Sequence, residues 1–171
     1  MRKWWESDPE ERYWMEIIRR PLSDIGHRLR AHQLNKAGHV EGYRMLVCDV
    51  RAGDVVAHWW TERPGEPGIV GWSVGTGVHS VGEGPDRDGR VGPTWETPLS
   101  DFTRLGKDLT LSRVRQAEYR VLDIYRRLDE RYGRPLYFPF IEGHPTMPVV
   151  GYLTKLPVEF VRLFPELSPL L

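Results

Sequence analysis

Cysteine, net charge and long apolar runs are all scarce in this sequence. The one cysteine, Cys48, lies in the apolar context Leu46-Val47-Cys48. A disulfide within the chain is excluded, and an intracellular setting is the natural expectation. No N-terminal apolar run resembles a signal peptide and no segment has the length to span a bilayer, so a soluble, cytoplasmic protein without a membrane partner is expected. The 24 basic residues match 24 acidic ones. That balance argues against a polybasic tail or a purely electrostatic DNA binder, and leaves room for a local basic face. Arginine far outnumbers lysine. Arginine is the better bidentate partner for phosphates and base edges, although GC-rich coding enriches it too.

Chemical motifs are also few. The histidines, His27, His32, His39, His58, His79 and His144, are scattered, none within an H-E-x-x-H pattern and none near a cysteine pair. Asp86-Arg87-Asp88-Gly89 has the start of a calcium loop but no twelfth-position ligand or flanking helices. Neither a metal nor a cofactor is expected. Gly71-Trp72-Ser73-Val74-Gly75 fits G-x-S-x-G, but no helix is expected after Ser73, so the match reads as chance.

What the sequence does have is tryptophan, seven in 171 residues. That length fits one domain over 1–171 with a real core. The stretch 53–77 organises it. Residues 55–61 and 69–74 read as two strands joined by Arg63-Pro64-Gly65-Glu66-Pro67-Gly68, a segment that cannot continue a regular element. Side chains alternate along a strand, so Trp59 points away from His58 and Trp60.

Around this pair, residues 1–11 read as an extension whose Trp4-Trp5 docks on the body or a partner, and 13–18 as the first strand. Leu22, Ile25 and Leu29 predict a helix over 22–34. Residues 75–98 read as a long polar loop, and 109–132 as an amphipathic helix ended by Gly133 and Pro135. Strands over 136–141 and 149–156, joined by the loop 142–148, close the fold, with 158–164 a last short turn or strand. The order predicts an α+β protein built on a mixed, curved sheet or open barrel flanked by helices.

Arg12-Tyr13-Trp14-Met15, the segment Gly53-Asp54-Val55-Val56-Ala57-His58-Trp59-Trp60, the strand Pro67-Gly68-Ile69-Val70-Gly71-Trp72-Ser73-Val74, and Trp95 followed by 99–111 carry a resemblance. Together, over residues 12–115, they resemble the EVE domains of the PUA-like superfamily, related to the YTH and SRA readers. The R-N-Y type motif typical of EVE domains is absent; Asn35-Lys36-Ala37-Gly38 and Glu41-Gly42-Tyr43 stand in its place.

The resemblance implies a small open β-barrel that encloses a flipped, modified base in an aromatic cage. It points to a DNA-binding protein, not an enzyme, with 5-methylcytosine the first candidate ligand. Trp59, Trp60 and Trp95 would form the cage, since every base offers a π-face. His58, Ser73, Asn35 and Tyr43 would meet the base edge. Arg28, Lys36, Arg87 and Arg90 would hold phosphates. EVE and SRA modules occur in modification-dependent restriction systems. With no nuclease motif in the chain, cleavage would fall to a separate nuclease subunit. The alternatives are a reader of modified RNA and a small serine hydrolase using Ser73.

Overall fold

The structure, a computed structural model, describes residues 3–85, 89–141, 143–149 and 151–171. Its centre is three strands with a different core on each face. In β1 (Tyr13–Ile18), Tyr13, Met15 and Ile17 join one core and Trp14 the other. Strand β3 (Val55–Trp60) divides likewise, with Val55, Ala57 and Trp59 in the first core and Val56 in the second. It runs parallel to β1 with Glu16 opposite His58, and antiparallel to β4 (Gly68–Gly75) with Val56 opposite Ser73. His58 and Trp59 therefore face opposite ways, as expected. A register irregularity falls between them, and such bulges sharpen the local twist.

The remaining strands of this sheet are β2 (Arg28–His32), β5 (Ser80–Pro85), β6 (Val91–Thr110) and β9 (Leu153–Leu156). Among the described residues the order is β2-β6-β4-β3-β1-β9, with β5 also paired to β6. The 20 residues of β6 bend the sheet. Its first part takes β2 on one edge and β5 on the other, and its second part takes β4. Two register irregularities against β4 and a positive φ of 60° at Asp101 mark the bend. The two ends of the order then approach each other, for the Arg30 N–H of β2 donates to the hydroxyl of Tyr152 just before β9. The result is a small, open, mixed β-barrel flanked by helices, the α+β architecture expected from the sequence.

The first core lies between the outer face and the helices α1 (Leu111–Gln116), α2 (Glu118–Tyr132) and α3 (Val158–Leu163). The second fills the curl with Trp14, Leu29, Leu46, Val47 and Val56. Trp4 and Trp5 join it, and the Trp4 indole donates to the Leu136 carbonyl at 2.9 Å. The extension is thus docked on the body, which spares two large apolar surfaces from water.

Several local expectations are corrected. The helix over 22–34 is a 3-10 turn, Leu22–Asp24, followed by β2. Gly26, at a φ of +85°, stops the helix. After it, buried Leu29 and Ala31 alternate with Arg28, Arg30 and His32, a period of two. The polar loop over 75–98 contains β5 and the start of β6, paired through Val81 opposite Trp95. Here glycines sit inside strands, where close packing needs them. The helix over 109–132 begins only after Thr110, whose hydroxyl caps α1, and breaks at Ala117. Residues in the expected loop 142–148 form β8 (His144–Pro148), paired with the short β7 (Phe140–Ile141). Residues 158–163 are helical. Among the described residues no helix is long and apolar enough to cross a membrane, and no group of three or more His, Cys, Asp or Glu is placed to hold a metal.

Candidate functional site: a buried polar relay

An ionisable residue on the inner face of an apolar strand needs partners. Glu16 of β1, His58 of β3 and Ser73 of β4 are such residues, side by side on neighbouring strands and each fully buried. His58 Nδ1 lies 2.8 Å from Glu16 Oε2, and His58 Nε2 lies 2.8 Å from Ser73 Oγ. The other carboxylate oxygen of Glu16 accepts from the Tyr152 hydroxyl at 2.6 Å and from Arg20 at 2.9 Å. An ionised carboxylate only accepts, so His58 Nδ1 carries a proton toward Glu16. In the neutral ring Nε2 then accepts the Ser73 hydroxyl proton. The lone pairs of Ser73 Oγ remain for another donor.

The electrostatics fit this polarity. Burial pushes the Glu16 carboxyl up, but the hydrogen bond from His58, the charge of Arg20 and the Tyr152 hydroxyl together hold it below the usual carboxylate range. Burial, the Glu16 charge and the bond to Glu16 raise the Tyr152 phenol well above its ordinary value.

Phe102 lies against this relay, its ring 5.6 Å from that of His58. Two glycines make room for it. A Cβ on Gly71 would stand 2.9 Å from the Phe102 ring, and one on Gly26 would meet Phe102 at 2.6 Å. Phe102 itself is half-buried. At the Arg20 end, the half-buried Trp60 donates its indole N–H to the Arg20 carbonyl at 3.0 Å. Arg20 Nε is buried with no hydrogen-bond partner among the described residues, and an orphan donor of this kind calls for an explanation.

Of the residues singled out in the sequence, His58 and Ser73 come together. Trp59 does not join them. It is core, packed edge-on to Phe140 at 6.4 Å, because strand alternation sends it to the helix-covered face. The assignment of Trp59 to a cage wall is corrected accordingly. Trp95 is half-buried against the inner core, opposite Ala31 and Val81. Asn35 is spent on a turn, its Oδ1 accepting from the N–H groups of Ala37 and His39. Tyr43 is largely exposed and donates to Glu41. Arg28 is exposed and paired with Glu96 at 3.3 Å, and Lys36 and Arg90 are exposed. Arg87 lies outside the described residues. Ser73 sits inside β4 and not at a strand-to-helix turn, so its G-x-S-x-G surroundings are not a nucleophile elbow.

No family model matches this chain, and no curated protein does. Among solved structures it is similar to Rpa0253 of Rhodopseudomonas palustris, known by NMR, with 15% identity, a TM-score of 0.46, and coverage of 93% of this chain and 94% of that one. A likeness of that degree carries no functional argument.

Glu16, Tyr152, Arg20 and Phe102 were missed from the sequence. Glu16 left a trace, as the one acid within the otherwise apolar strand YWMEII. Arg20 lies only four positions beyond Glu16, whereas Phe102 and Tyr152 are brought in by tertiary structure, Tyr152 from 136 positions away.

Proposed function

We propose that this chain is a DNA-binding domain that takes up a modified base, 5-methylcytosine or a relative, flipped into the mouth of the open barrel. The Glu16–His58–Ser73 relay beneath Phe102 carries the reading. A buried polar chain is a costly way to fill a core, and this one ends at a half-buried aromatic ring. The short motifs resembling EVE domains, whose superfamily encloses flipped bases, point the same way.

In this reading Trp60 keeps the stacking role first given to Trp59, Trp60 and Trp95, and Phe102 takes the place of Trp59. Stacking contributes roughly 1–3 kcal/mol per base, comparable to the few kcal/mol that extrusion costs. Ser73 Oγ accepts from an exocyclic amine, and Arg20 Nε donates to a ring nitrogen or carbonyl, the donor–acceptor pair a cytosine edge presents. A methyl group against Phe102 adds about 1 kcal/mol. Arg28, Lys36 and Arg90 hold phosphates and fix register. Entry requires Phe102 to swing away from Gly26 and Gly71. The protein then acts in the cytoplasm as the recognition part of a restriction-type system, with cleavage supplied by a separate nuclease subunit.

The test is a competitive titration at fixed salt. Duplexes and single strands of DNA and RNA carry cytosine, 5-methylcytosine, adenine or N6-methyladenine at one position. A preference of about tenfold or more, roughly 1.4 kcal/mol, for 5-methylcytosine in DNA is expected. A preference confined to RNA moves the reading to modified RNA, and equal, salt-sensitive binding to all refutes it.

One observation favours a second reading. Ser73, His58 and Glu16 stand in the order of a nucleophile, its base and the group that orients the base. A serine hydrolase would be labelled at Ser73 by a fluorophosphonate, would lose that label in Ser73→Ala, and would bind no nucleic acid.

A further inference from the structure

A second buried ionisable group lies outside the relay. Strand β9, LTKL, is wholly buried, and its Lys155 is only 1% exposed. The ammonium lies 4.1 Å from the centre of the Trp14 ring and 5.9 Å from that of Trp5. Among the described residues it makes no hydrogen bond. It faces a cavity of about 40 Å³ that reaches the surface beside exposed Pro9 and Arg12.

Four carboxylates line the cavity, Asp8, Glu11, Asp49 and Asp54, against the guanidinium groups of Arg12 and Arg51. The carboxylates have other donors. Asp54 takes the Trp14 indole at 2.8 Å and the Arg51 N–H at 3.0 Å, Asp49 takes Lys3 at 2.6 Å, Glu11 takes the Val158 N–H at 3.0 Å, and Asp8 takes the Glu10 N–H at 3.0 Å. Lys155 thus shares the cavity with four acids but is held by none of them; its ammonium lies over the Trp14 ring.

We infer that Lys155 is a reactive amine in a built cavity that captures small neutral aldehydes as an imine. The cavity sets the size. At the 10–15 Å³ that one water requires, it has room for about three small groups, which fits an aldehyde of one to three carbons. The charges set the class. With the Glu11 carboxyl protonated, Asp8, Asp49 and Asp54 disfavour an anionic carbonyl compound. They favour a product that keeps the positive charge over the indole rings, as an iminium does and a carbamate does not. Burial supports the chemistry, for it lowers the amine to about 7 and raises the Glu11 carboxyl to about 7.

The steps balance. The free amine attacks the carbonyl carbon, and an N–C bond forms as the π pair moves to oxygen. Transfer of a proton from nitrogen to that oxygen gives the carbinolamine. The Glu11 carboxyl protonates the departing hydroxyl, water leaves, and the nitrogen lone pair closes the C=N bond to give the iminium. One amine, one aldehyde and one proton become one iminium and one water.

The experiment uses the full wild-type chain and its own surface lysines, Lys3, Lys36 and Lys107, as internal standards. The protein is treated with acetaldehyde and cyanoborohydride at pH 7, and alkylation is mapped by peptide mass spectrometry. At that pH a pKa of about 7 in place of 10.5 gives about a thousandfold more free amine. Restricted access and lower basicity take back part of this, so Lys155 is expected to react at least about tenfold faster than the other three lysines. The preference vanishes in denaturant, and pyridoxal phosphate, large and anionic, labels the surface lysines while sparing Lys155. Equal or slower alkylation of Lys155, a preference that survives unfolding, or equal labelling by pyridoxal phosphate would overturn the inference. None of these outcomes depends on nucleic-acid binding.

Discussion

Replacing Glu16 by alanine tests whether the relay is sealed from water. The carboxylate receives three donors, from His58, Tyr152 and Arg20. The Arg20 side chain is 36% exposed and can turn outward. The protons of His58 and Tyr152 lose their acceptor on the inside of the barrel. Each buried donor left without an acceptor costs about 1–3 kcal/mol, and lost packing adds to this. Glu16→Ala should therefore cost about 3–5 kcal/mol, as breaking a buried ion pair does, out of a typical total of about 5–15. Urea unfolding at pH 7, followed by tryptophan fluorescence, measures it. Glu16→Gln keeps the shape and one acceptor, and should lose about 1–3 kcal/mol. The pH dependence has a definite sign. Because the folded carboxyl lies below its ordinary 4.5, its contribution is present above that value and lost as pH falls through the lower folded value. Glu16→Gln should flatten that acid limb. A loss under about 1 kcal/mol for Glu16→Ala would show that water reaches these donors, and the sealed relay would be refuted.

Three further outcomes are expected. Gly71→Ala brings a Cβ within 2.5 Å of the Thr103 carbonyl oxygen and 2.9 Å of the Phe102 ring; overpacking of this kind costs about 1–3 kcal/mol in urea unfolding. Trp59→Ala should lose about 3–5 kcal/mol of stability as a core deletion, whereas Trp60→Ala should unfold at nearly the wild-type midpoint and weaken base binding by about 1–3 kcal/mol in the titration. Wild-type stability should rise with pH from about 7 toward 10.5, since the unfolded Lys155 holds its proton over that range while the folded one has released it; unfolding of Lys155→Met across the same range should show that slope removed.

The organising strands were legible because their pattern is local. Val55, Ala57 and Trp59 alternate with Val56 and His58, and Pro and Gly close the segment on one side. Such alternation gives strand and face together. The region 22–34 was misread because Leu22, Ile25 and Leu29 fit a helical stripe, while Leu29 and Ala31 alternating with Arg28, Arg30 and His32 fit a strand equally well. Only the positive φ at Gly26 decides between them. The region 75–98 was misread because its glycines look like loop residues, although Gly82 and Gly84 serve to let Glu96 and Arg30 lie against the strand. For the site, His58 and Ser73 were visible as polar residues in apolar strands. Their link to each other follows the β3–β4 hairpin, but the link to Glu16 was hidden, since it depends on β1 lying beside β3, a parallel pairing that no local pattern encodes.

The function of the relay can be separated from its contribution to the fold by removing all of it at once. A relay kept for stability should fail in proportion to the parts removed. A relay kept for ligand recognition should not, because apolar side chains of similar volume fill the same space at lower electrostatic cost. The triple variant Glu16→Met, His58→Leu, Ser73→Ala removes the carboxylate together with the imidazole and hydroxyl protons that depend on it. Tyr152 keeps its bond from the Arg30 N–H, and its hydroxyl proton is the one relay donor left without an acceptor inside the barrel. The triple variant should therefore lie within about 1–2 kcal/mol of the wild type. It should be more stable than Glu16→Ala alone, a non-additivity of about 2 kcal/mol or more of the kind contacting residues show. It should also lose the preference for a modified base, because Ser73 Oγ is gone and Arg20 no longer has Glu16 to hold it. If instead the triple variant is as unstable as Glu16→Ala or worse, the relay specifies the fold, and its position under Phe102 ceases to argue for a ligand.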